Sequence, residues 1–231
     1  MDVYLPLIGA AALFLLTHIG MSAHPVRAGL VSRLGQSGYL IAYSLVSVVA
    51  FAWFLISFGD APREYLWLAP TWVRHLPMGI MLIVCVLIVA AYMGPNPTAV
   101  GFDRFVKLED GPKGVFRVTR HPILSAVTLW ALVHIPASGQ VSAIILQSAI
   151  GLLAIIGMNQ IDRRKARTLG EEWSTYAAQS SVMPFAAIVS GRQRFVFKEI
   201  GWLPVLGGVG LYVILISAHA HIIGVSPLPM P

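Results

Sequence analysis

The residues of this chain best suited to do chemistry are histidines within or beside long apolar runs. Arg120-His121-Pro122 opens one such run, His134 follows thirteen residues after His121, and His18 lies in the first run of the chain. Hydrocarbon gives an imidazole no solvation, so ionisable side chains at membrane depth are usually functional. Neutral imidazole is also the commonest metal-binding side chain. These histidines therefore indicate a site between helices, with metal ligation as its chemistry.

Composition identifies the solvent in which the chain folds. Apolar residues make up 57% and charged residues 11%, whereas a soluble domain has roughly 45–50% and 25%. None of the long apolar runs alternates with period two, and open sheet edges cannot be satisfied in lipid. We predict an all-α, polytopic transmembrane helical bundle in a lipid bilayer, with residues 1–231 as a single domain. A crossing takes about 20 residues, which gives six predicted spans: 3–23, 38–59, 75–94, 122–138, 140–160 and 202–224.

The basic residues predict the orientation of the bundle. Segments 24–37, 95–121 and 161–201 fall on one side and hold fourteen of the sixteen Lys and Arg residues, while the other side has Arg63 and Arg74. Cytoplasmic loops carry the excess of Lys and Arg, so both termini are predicted on the non-cytoplasmic side. The net charge of +6 then reflects topology and anionic headgroups rather than nucleic-acid binding. The fourteen are Arg27, Arg33, Arg104, Lys107, Lys113, Arg117, Arg120, Arg163, Arg164, Lys165, Arg167, Arg192, Arg194 and Lys198.

The connections near the fourth and fifth spans are also predictable. Residues 137–140 leave room only for a tight hairpin, which makes the two helices antiparallel neighbours. Residues 158–179 are mostly helix formers and are predicted to prolong the fifth span into the cytosol. A bend is expected at Pro184, because the residue before a proline disfavours the helical conformation.

Each histidine has a structural and a functional interpretation. A histidine in a span is satisfied if it bonds a neighbouring helix. Two imidazoles on opposing helices can instead hold a haem iron from both faces. Trp130 lies one turn before His134, where it can pack against a flat ligand or in ordinary core. The guanidinium of Arg120 fits a carboxylate at the cytoplasmic mouth, and we predict that it contacts a haem propionate.

The spacing leaves the pairing of the histidines open. His121 and His134 are separated by about 220° around one helix, so they do not share an ion. At about 1.5 Å per residue, His18 lies roughly 7 Å to the cytoplasmic side of the membrane centre and His134 roughly 6 Å to the other side. Depth alone therefore favours His18 with His121. The histidines at span ends are weaker candidates: His24, His75, His219 and His221.

A series of short motifs follows in order along nearly the whole chain. They are Thr17-His18, Arg27-Ala28-Gly29-Leu30, Gly35-Gln36-Ser37-Gly38-Tyr39, Tyr43-Ser44-Leu45-Val46-Ser47, Val118-Thr119-Arg120-His121-Pro122, Trp130-Ala131-Leu132-Val133-His134, Gly157-Met158, Ile161-Asp162-Arg163-Arg164 and Pro184-Phe185. This order resembles the NnrU family of bacterial membrane proteins.

The resemblance implies a cofactor and a location. The family is named for a role in nitrite and nitric oxide metabolism, and its plant relative is 15-cis-zeta-carotene isomerase, a haem b protein whose haem is held by two histidines. By motif position these correspond to His18 and His134. The resemblance thus implies a haem b protein of the bacterial inner membrane with these two metal ligands. From the residues themselves we place Arg120 and His121 at the cytoplasmic mouth of this site and Trp130 beside His134.

The resemblance leaves the activity open. It implies either a redox-linked role in denitrification with a partner protein, or isomerase-like activity on an apolar small molecule. Two axial imidazoles leave the iron no open position, which favours electron transfer or redox gating. One departure concerns the turn after the second histidine: the family usually has Ala-Asn-Gly-Asp, whereas this chain has Ala137-Ser138-Gly139-Gln140. The role of that turn in this chain is therefore open.

A fainter resemblance supplies an alternative. Arg120-His121-Pro122, Gly170-Glu171-Glu172-Trp173 with Tyr176, and Met183-Pro184 are similar to the cofactor-binding tail of isoprenylcysteine carboxyl methyltransferases and phospholipid methyltransferases. That similarity implies S-adenosylmethionine as cofactor, although the tyrosine usual after the proline is replaced by Ile123-Leu124-Ser125. Glu171 and Glu172 also have a structural interpretation, because an acidic pair near basic residues more often forms a solvated helix face. A non-catalytic assembly partner of an oxidoreductase is a third class.

Overall fold

Helices make up most of the described chain, which in this computed structural model comprises residues 2–99 and 107–228. Arg104, which was counted in the charge asymmetry, lies outside these residues. Within them the only β pairing is an isolated bridge between Tyr65 and Gln140. The predicted all-α class is confirmed. The helices are α1 Leu5–Ser22, α2 His24–Asp60, α3 Thr71–Tyr92, α4 Pro122–Ser138, α5 Val141–Leu169, α6 Glu171–Gln179, α7 Ala186–Val189, α8 Phe197–Ile200 and α9 Trp202–Ile223.

Five helical segments of the described chain are long and apolar enough to cross a membrane. They are Asp2–Ser22, His24–Asp60, Thr71–Tyr92, Val141–Leu169 and Trp202–Ile223. The predicted fourth span forms α4, an apolar helix of 17 residues, which is shorter than the roughly 20 residues of a perpendicular crossing. The count of six spans and the orientation of the termini therefore stay predictions.

The segment 24–37 differs from its prediction. It was placed outside the spans, between the apolar runs 3–23 and 38–59, but it is helical and belongs to α2. Pro25 stands in the first turn, where the missing N–H is tolerated, and the backbone leaves the helical conformation only at Gly35 (φ 72°, ψ 168°). Ala23 alone separates α1 from α2. The apolar runs did not predict this continuation, because a helix beyond the apolar core keeps its backbone hydrogen bonds whatever the charge of its side chains.

The predicted extension of the fifth span is helical but divided. Helix α5 continues to Leu169, Gly170 interrupts it with φ 55° and ψ −124°, and α6 follows. The bend expected at Pro184 lies between α6 and α7, where Phe185 has a positive φ of 65°.

The long helices pack side by side in the order α2, α1, α5, α4, α3, α9. Helices α4 and α5 are the predicted antiparallel neighbours. They approach closely at Gly151, where an added Cβ would lie 2.7 Å from the Cβ of Ala131, and small residues permit such approach in membrane bundles. One apolar cluster joins α1, α2 and α5: Tyr4, Leu7, Ala10, Ala11, Phe14, Ala50, Phe54 and Ala149. A second joins α3, α4 and the turn before α4: Val84, Leu87, Val115, Phe116 and Ala126.

The α4–α5 hairpin is closed by the loop 61–70. Gly139 ends α4 in the left-handed conformation (φ 63°, ψ −4°). Its carbonyl accepts the backbone N–H of Leu66 at 2.8 Å, and the carbonyl of Glu64 accepts the N–H of Val141 at 2.9 Å. The indole N–H of Trp67 donates to the carbonyl of Pro136 at 2.9 Å. The hairpin end of α4 is thereby held in register.

At the opposite end of the bundle, Arg117 and Glu199 join the turn before α4 to α8. The Arg117 Nε and Nη2 atoms donate to the two Glu199 oxygens at 2.7 and 2.8 Å. The backbone N–H of Gly114 donates to the same carboxylate at 2.7 Å. The hydrogen bond from Arg117 holds the pKa of Glu199 below its usual value.

Replacing Gly139 with alanine should destabilise the hairpin. The positive φ alone costs an L-residue about 1–2 kcal/mol, and the added Cβ would collide with the carbonyl oxygen of Trp67. We expect a lower thermal unfolding midpoint in detergent. Gly9→Ala is the matched control, because nothing lies within 4 Å of a Cβ added there. An unchanged midpoint for the Gly139 variant would contradict the proposed role of the turn.

The Arg117–Glu199 pair should give a pH-dependent part of the stability. The carboxylate has a lowered pKa in the folded protein, so its contribution is present above the unfolded value of about 4.3 and disappears as the pH falls through the folded value. The thermal midpoint of Glu199→Gln should therefore lie below that of the wild type at pH 7. At strongly acidic pH the two curves should converge; a difference that grows on acidification would be inconsistent with this assignment.

Candidate functional site

Three side chains meet in an ionic cluster where α4 begins. Asp162 on α5 accepts hydrogen bonds from Arg120 at 3.0 Å (Nε to Oδ2) and 2.6 Å (Nη2 to Oδ2). Its other oxygen accepts the Nε2–H of His121 at 2.8 Å. The side chain of His121 is fully buried, and those of Arg120 and Asp162 are 13% and 20% exposed. The carboxylate is thus shared by a cation and an imidazole, with little access to solvent.

The first turn of α4 is further fixed by a hydroxyl network. Thr119 Oγ1 donates to the carbonyl of Val182 at 2.8 Å and lies 3.0 Å from Ser125 Oγ. The same oxygen accepts the backbone N–H of His121 at 3.2 Å. The backbone N–H of Arg120 donates to the carbonyl of Ser181 at 2.9 Å. The backbone groups at the start of a helix lack intrahelical partners, and here the 181–182 segment and Thr119 supply them.

Asp162 is a site residue that the sequence reasoning did not single out. It was quoted only within the motif Ile161-Asp162-Arg163-Arg164. A signal was available, because Asp162 is the only acidic residue between Asp110 and Glu171. An acid isolated in this way is the natural partner for the basic residue at the mouth of a neighbouring helix.

His18 lies on α1 with one ring nitrogen engaged. Its Nδ1 is 2.9 Å from the carbonyl oxygen of Phe14, four residues earlier. A carbonyl only accepts hydrogen bonds, so Nδ1 carries the proton and Nε2 of the neutral ring keeps a free lone pair. The imidazole is flanked by the rings of Phe14 (centroids 4.3 Å apart) and Tyr43 (5.7 Å). Its free nitrogen is the atom that binds metals in many histidine sites.

An apolar cavity of about 420 Å³, wide open to the surroundings of the protein, adjoins His18. Helices α1, α2, α4 and α5 all contribute to its wall. His18 and Ser47 are the polar members of a lining that is otherwise hydrocarbon or aromatic. The described residues that line it are Phe14, His18, Ser47, Val48, Phe51, Leu124, Val127, Ile150, Leu153 and Ala154. The volume is within the range of about 300–1,000 Å³ for small-molecule sites.

His134 repeats the arrangement of His18 on α4. Its Nδ1 is 2.8 Å from the carbonyl oxygen of Trp130, four residues earlier, so its Nε2 also keeps a free lone pair. The Trp130 indole lies against the imidazole with centroids 5.5 Å apart and a tilt of 38°. His134 is not among the described residues that line the cavity beside His18.

The structure thus sorts the predicted site residues into two groups. Arg120 and His121 meet on Asp162, whereas His18 and His134 each have a free Nε2 and an aromatic neighbour on their own helix. The pairing suggested by depth, His18 with His121, stays a prediction, because Nε2–H of His121 donates to the carboxylate and its Nδ1 keeps a lone pair. His121 Nδ1 is buried and without a hydrogen-bond partner among the described residues.

Two other histidines also bond a backbone carbonyl through Nδ1, but they lie near exposed helix ends. Nδ1 of His75 lies 2.7 Å from the carbonyl of Thr71, and Nδ1 of His219 lies 2.8 Å from that of Val225. Both hydrogen bonds are exposed, at the first turn of α3 and near the end of α9. Within residues 2–99 and 107–228, no three His, Cys, Asp or Glu side chains come together so that they could hold a metal ion.

The motif shared with methyltransferases is divided between surface and core. Glu171 and Glu172 are exposed in the first turn of α6. Trp173 and Tyr176 are buried, stack with centroids 5.6 Å apart, and pack on Leu108. Burial raises the pKa of the Tyr176 phenol. In this chain the two aromatic residues of the motif therefore hold α6 to the rest of the protein.

Comparison with known proteins gives matches in one family. The family model described as NnrU protein matches residues 6–227. The chain is 36% identical over 118 residues to the chloroplastic 15-cis-zeta-carotene isomerase of Arabidopsis thaliana, a match that covers 49% of this chain and 32% of that protein. It is 34% identical over 90 residues to the enzyme of the same name from Zea mays, covering 38% of this chain and 24% of that protein.

The matched stretches thus span about a third and a quarter of the lengths of these two relatives. No solved structure matches the chain. The family match, by contrast, extends from the start of α1 to beyond the end of α9. The chain belongs to the NnrU family.

Proposed function

We propose that this membrane protein binds haem b and that His18 and His134 would hold its iron. The observation that carries the proposal is the hydrogen bonding of the two rings. Each Nδ1–H donates to the carbonyl four residues earlier, so Nε2 of each neutral ring keeps a lone pair, and no described residue hydrogen-bonds to it. Such a bond to the second nitrogen fixes the tautomer and makes the ring a better ligand.

The residues around the two histidines fit a porphyrin in their chemistry. Phe14 and Trp130 offer aromatic faces beside the ligands, and the cavity next to His18 is almost wholly apolar. When bound, haem would supply one-electron chemistry at its iron. The part played by this chain is to hold the imidazoles, exclude water and present an apolar wall.

The ionic cluster supports this site through α4. Asp162 fixes Arg120 and His121 where α4 begins, and His134 lies on the same helix thirteen residues after His121. We propose that the cluster positions the helix that carries the second ligand. A contact between Arg120 and a propionate also stays a prediction, and such a propionate would compete with Asp162 for the same guanidinium.

Two roles are compatible with such a site. One is a redox-linked role in nitrite and nitric oxide metabolism, as the family resemblance implies. The other is isomerase-like activity on an apolar small molecule, which the names of the plant relatives and the apolar cavity support. The proposed location is the inner membrane of a bacterium, whereas both relatives are chloroplastic by name. S-adenosylmethionine-dependent methyl transfer and a non-catalytic assembly role stay as alternatives.

The ligand assignment can be tested by absorption spectroscopy on purified protein supplied with haem. We expect a low-spin spectrum with sharp reduced α and β bands in the wild type. His18→Ala and His134→Ala should each abolish it, because six-coordinate iron needs both imidazoles. His121→Ala should keep a Soret band. His75→Ala is the matched control, because its ring bonds the backbone in the same way at an exposed helix end.

Three outcomes would contradict the proposal. If His121→Ala loses the low-spin spectrum while His134→Ala keeps it, the second ligand is His121 and not His134. A wild-type protein that stays colourless after haem supplementation would exclude haem binding. Colourless protein that binds S-adenosylmethionine by calorimetry would favour methyl transfer.

Asp162→Asn tests the positioning role of the cluster. The substitution weakens the ion pair with Arg120, and a charged hydrogen bond of this kind contributes about 1.5–3 kcal/mol. We expect a lower thermal midpoint and a weakened affinity for haem, with the low-spin spectrum restored at high haem concentration. Asp110→Asn is the control, because its pair with Lys113 is exposed. If Asp162→Asn lowers stability but leaves haem affinity at the wild-type value, the cluster is structural only.

A further inference from the structure

The segment 183–202, which we call the strap, exposes large apolar side chains outside the spanning helices. It contains α7 and α8 and ends where α9 begins at Trp202. Val189 is 86% exposed and Trp202 68%. Met183, Phe185 and Phe195 are exposed as well. A contiguous stretch of exposed aromatic and aliphatic residues marks an interaction surface rather than ordinary protein surface.

Hydrogen bonds join the strap to the rest of the protein. Its apolar side chains are therefore exposed in an ordered segment and not in a loose one. The backbone N–H of Phe185 donates to the carbonyl of Val118 at 2.8 Å, and Nη1 of Arg117 donates to the side-chain oxygen of Gln193 at 2.5 Å. Arg192 Nη1 donates to the carbonyls of Ala178 and Ser180. Because the backbone is held by these bonds, the exposed rings are presented outward by the fold.

The aromatic rings form two small groups on this segment. Phe185 and Phe195 have ring centroids 6.4 Å apart, and Phe197 meets Trp202 edge-on at 4.9 Å. Phe185 also has a positive φ of 65°, a conformation that is uncommon outside glycine. The surrounding structure keeps this residue strained and exposed at once, which is consistent with a functional surface.

The strap carries exposed basic residues that form no ion pair with any residue of the described chain. Arg194 and Lys198 are exposed beside the aromatic residues. The only acidic residue between 183 and 202 is Glu199, and its carboxylate is already bound by Arg117 and by the N–H of Gly114. An incoming surface therefore meets cations set among aromatic rings.

We propose that the strap lies in the headgroup layer of the membrane and binds anionic lipids. Trp and Phe at this depth place apolar rings below the headgroups while basic side chains reach anionic phosphates. Continuity supports a bilayer as the occupant, because Trp202 begins a helix long enough to cross it. The anionic cytoplasmic leaflet attracts basic residues next to a spanning helix. The inference is independent of haem binding.

The experiment uses a fluorescent label at position 189 in the full-length protein. Val189→Cys is labelled with an environment-sensitive dye and reconstituted in nanodiscs of phosphatidylcholine with or without phosphatidylglycerol. Cys85 is fully buried and stays in place, and an unsubstituted protein measures its background labelling. Glu172→Cys, on the exposed face of α6, is the control position.

We expect the label at 189 to be blue-shifted, to lose emission when the lipids are brominated, and to be protected from iodide. The label at 172 should show the opposite pattern. Replacing Arg194 and Lys198 with glutamine should reduce quenching by brominated lipid in discs with phosphatidylglycerol and leave it unchanged in phosphatidylcholine alone.

Three results would overturn the proposal. A label at 189 quenched by iodide as readily as that at 172 places the strap in water. A label quenched by neither agent indicates that protein, such as a second copy of the chain, covers it. Quenching that is independent of phosphatidylglycerol and of both basic residues rules out anionic lipid as the ligand.

Discussion

Lipid imposes one constraint on every imidazole within the bundle: its N–H must be satisfied by protein, because hydrocarbon offers no acceptor. His18 and His134 meet this requirement inside their own helices, through the carbonyls of Phe14 and Trp130. The bond fixes the tautomer without help from a neighbouring helix. In each ring Nδ1–H is thus bonded to the backbone, and Nε2 keeps a lone pair to which no described residue donates. That division is what makes these two histidines suitable as metal ligands.

The N–H of His121 meets the same constraint through a side chain on another helix instead of a carbonyl of its own helix. His121 gives Nε2–H to Asp162, which also holds Arg120. The charge of the carboxylate is balanced by the guanidinium, so the pair can lie in a poorly solvated place. Because the three residues join the start of α4 to α5, the cluster determines where α4 begins. This connection uses only Nε2 of His121, so it suits a positioning role and leaves Nδ1 without a hydrogen-bond partner among the described residues.

Sequence reasoning located the helices more reliably than it located partners. Apolar runs and the short 137–140 turn were enough to predict the bundle and the α4–α5 hairpin, since both follow from local sequence. The Arg120–Asp162 contact joins residues 42 positions apart, so it depends on how two helices pack. The helical 24–37 segment was left outside the predicted spans, because run length in apolar residues does not show where a helix continues beyond the apolar core. The depth argument that pairs His18 with His121 stays a prediction, and spacing along a helix does not reveal which ring nitrogen is engaged.

The turn after His134 is closed by hydrogen bonds of its own short side chains. This chain lacks the usual amide and carboxylate of that turn, yet Ser138 Oγ accepts the backbone N–H of Gln140 at 3.2 Å, as an asparagine oxygen does in comparable turns. Gln140 Nε2 in turn donates to Ser142 Oγ at 3.0 Å, within the first turn of α5.

Gly139 supplies the left-handed conformation, and its carbonyl receives Leu66. The geometry of the turn thus rests on glycine and on short hydroxyl side chains rather than on an acid. Helix α4 is held by this turn at one end and by Asp162 at the other, which fixes the depth of His134 between two anchors. A short helix of 17 residues needs both, because its own length does not determine its position in a bilayer.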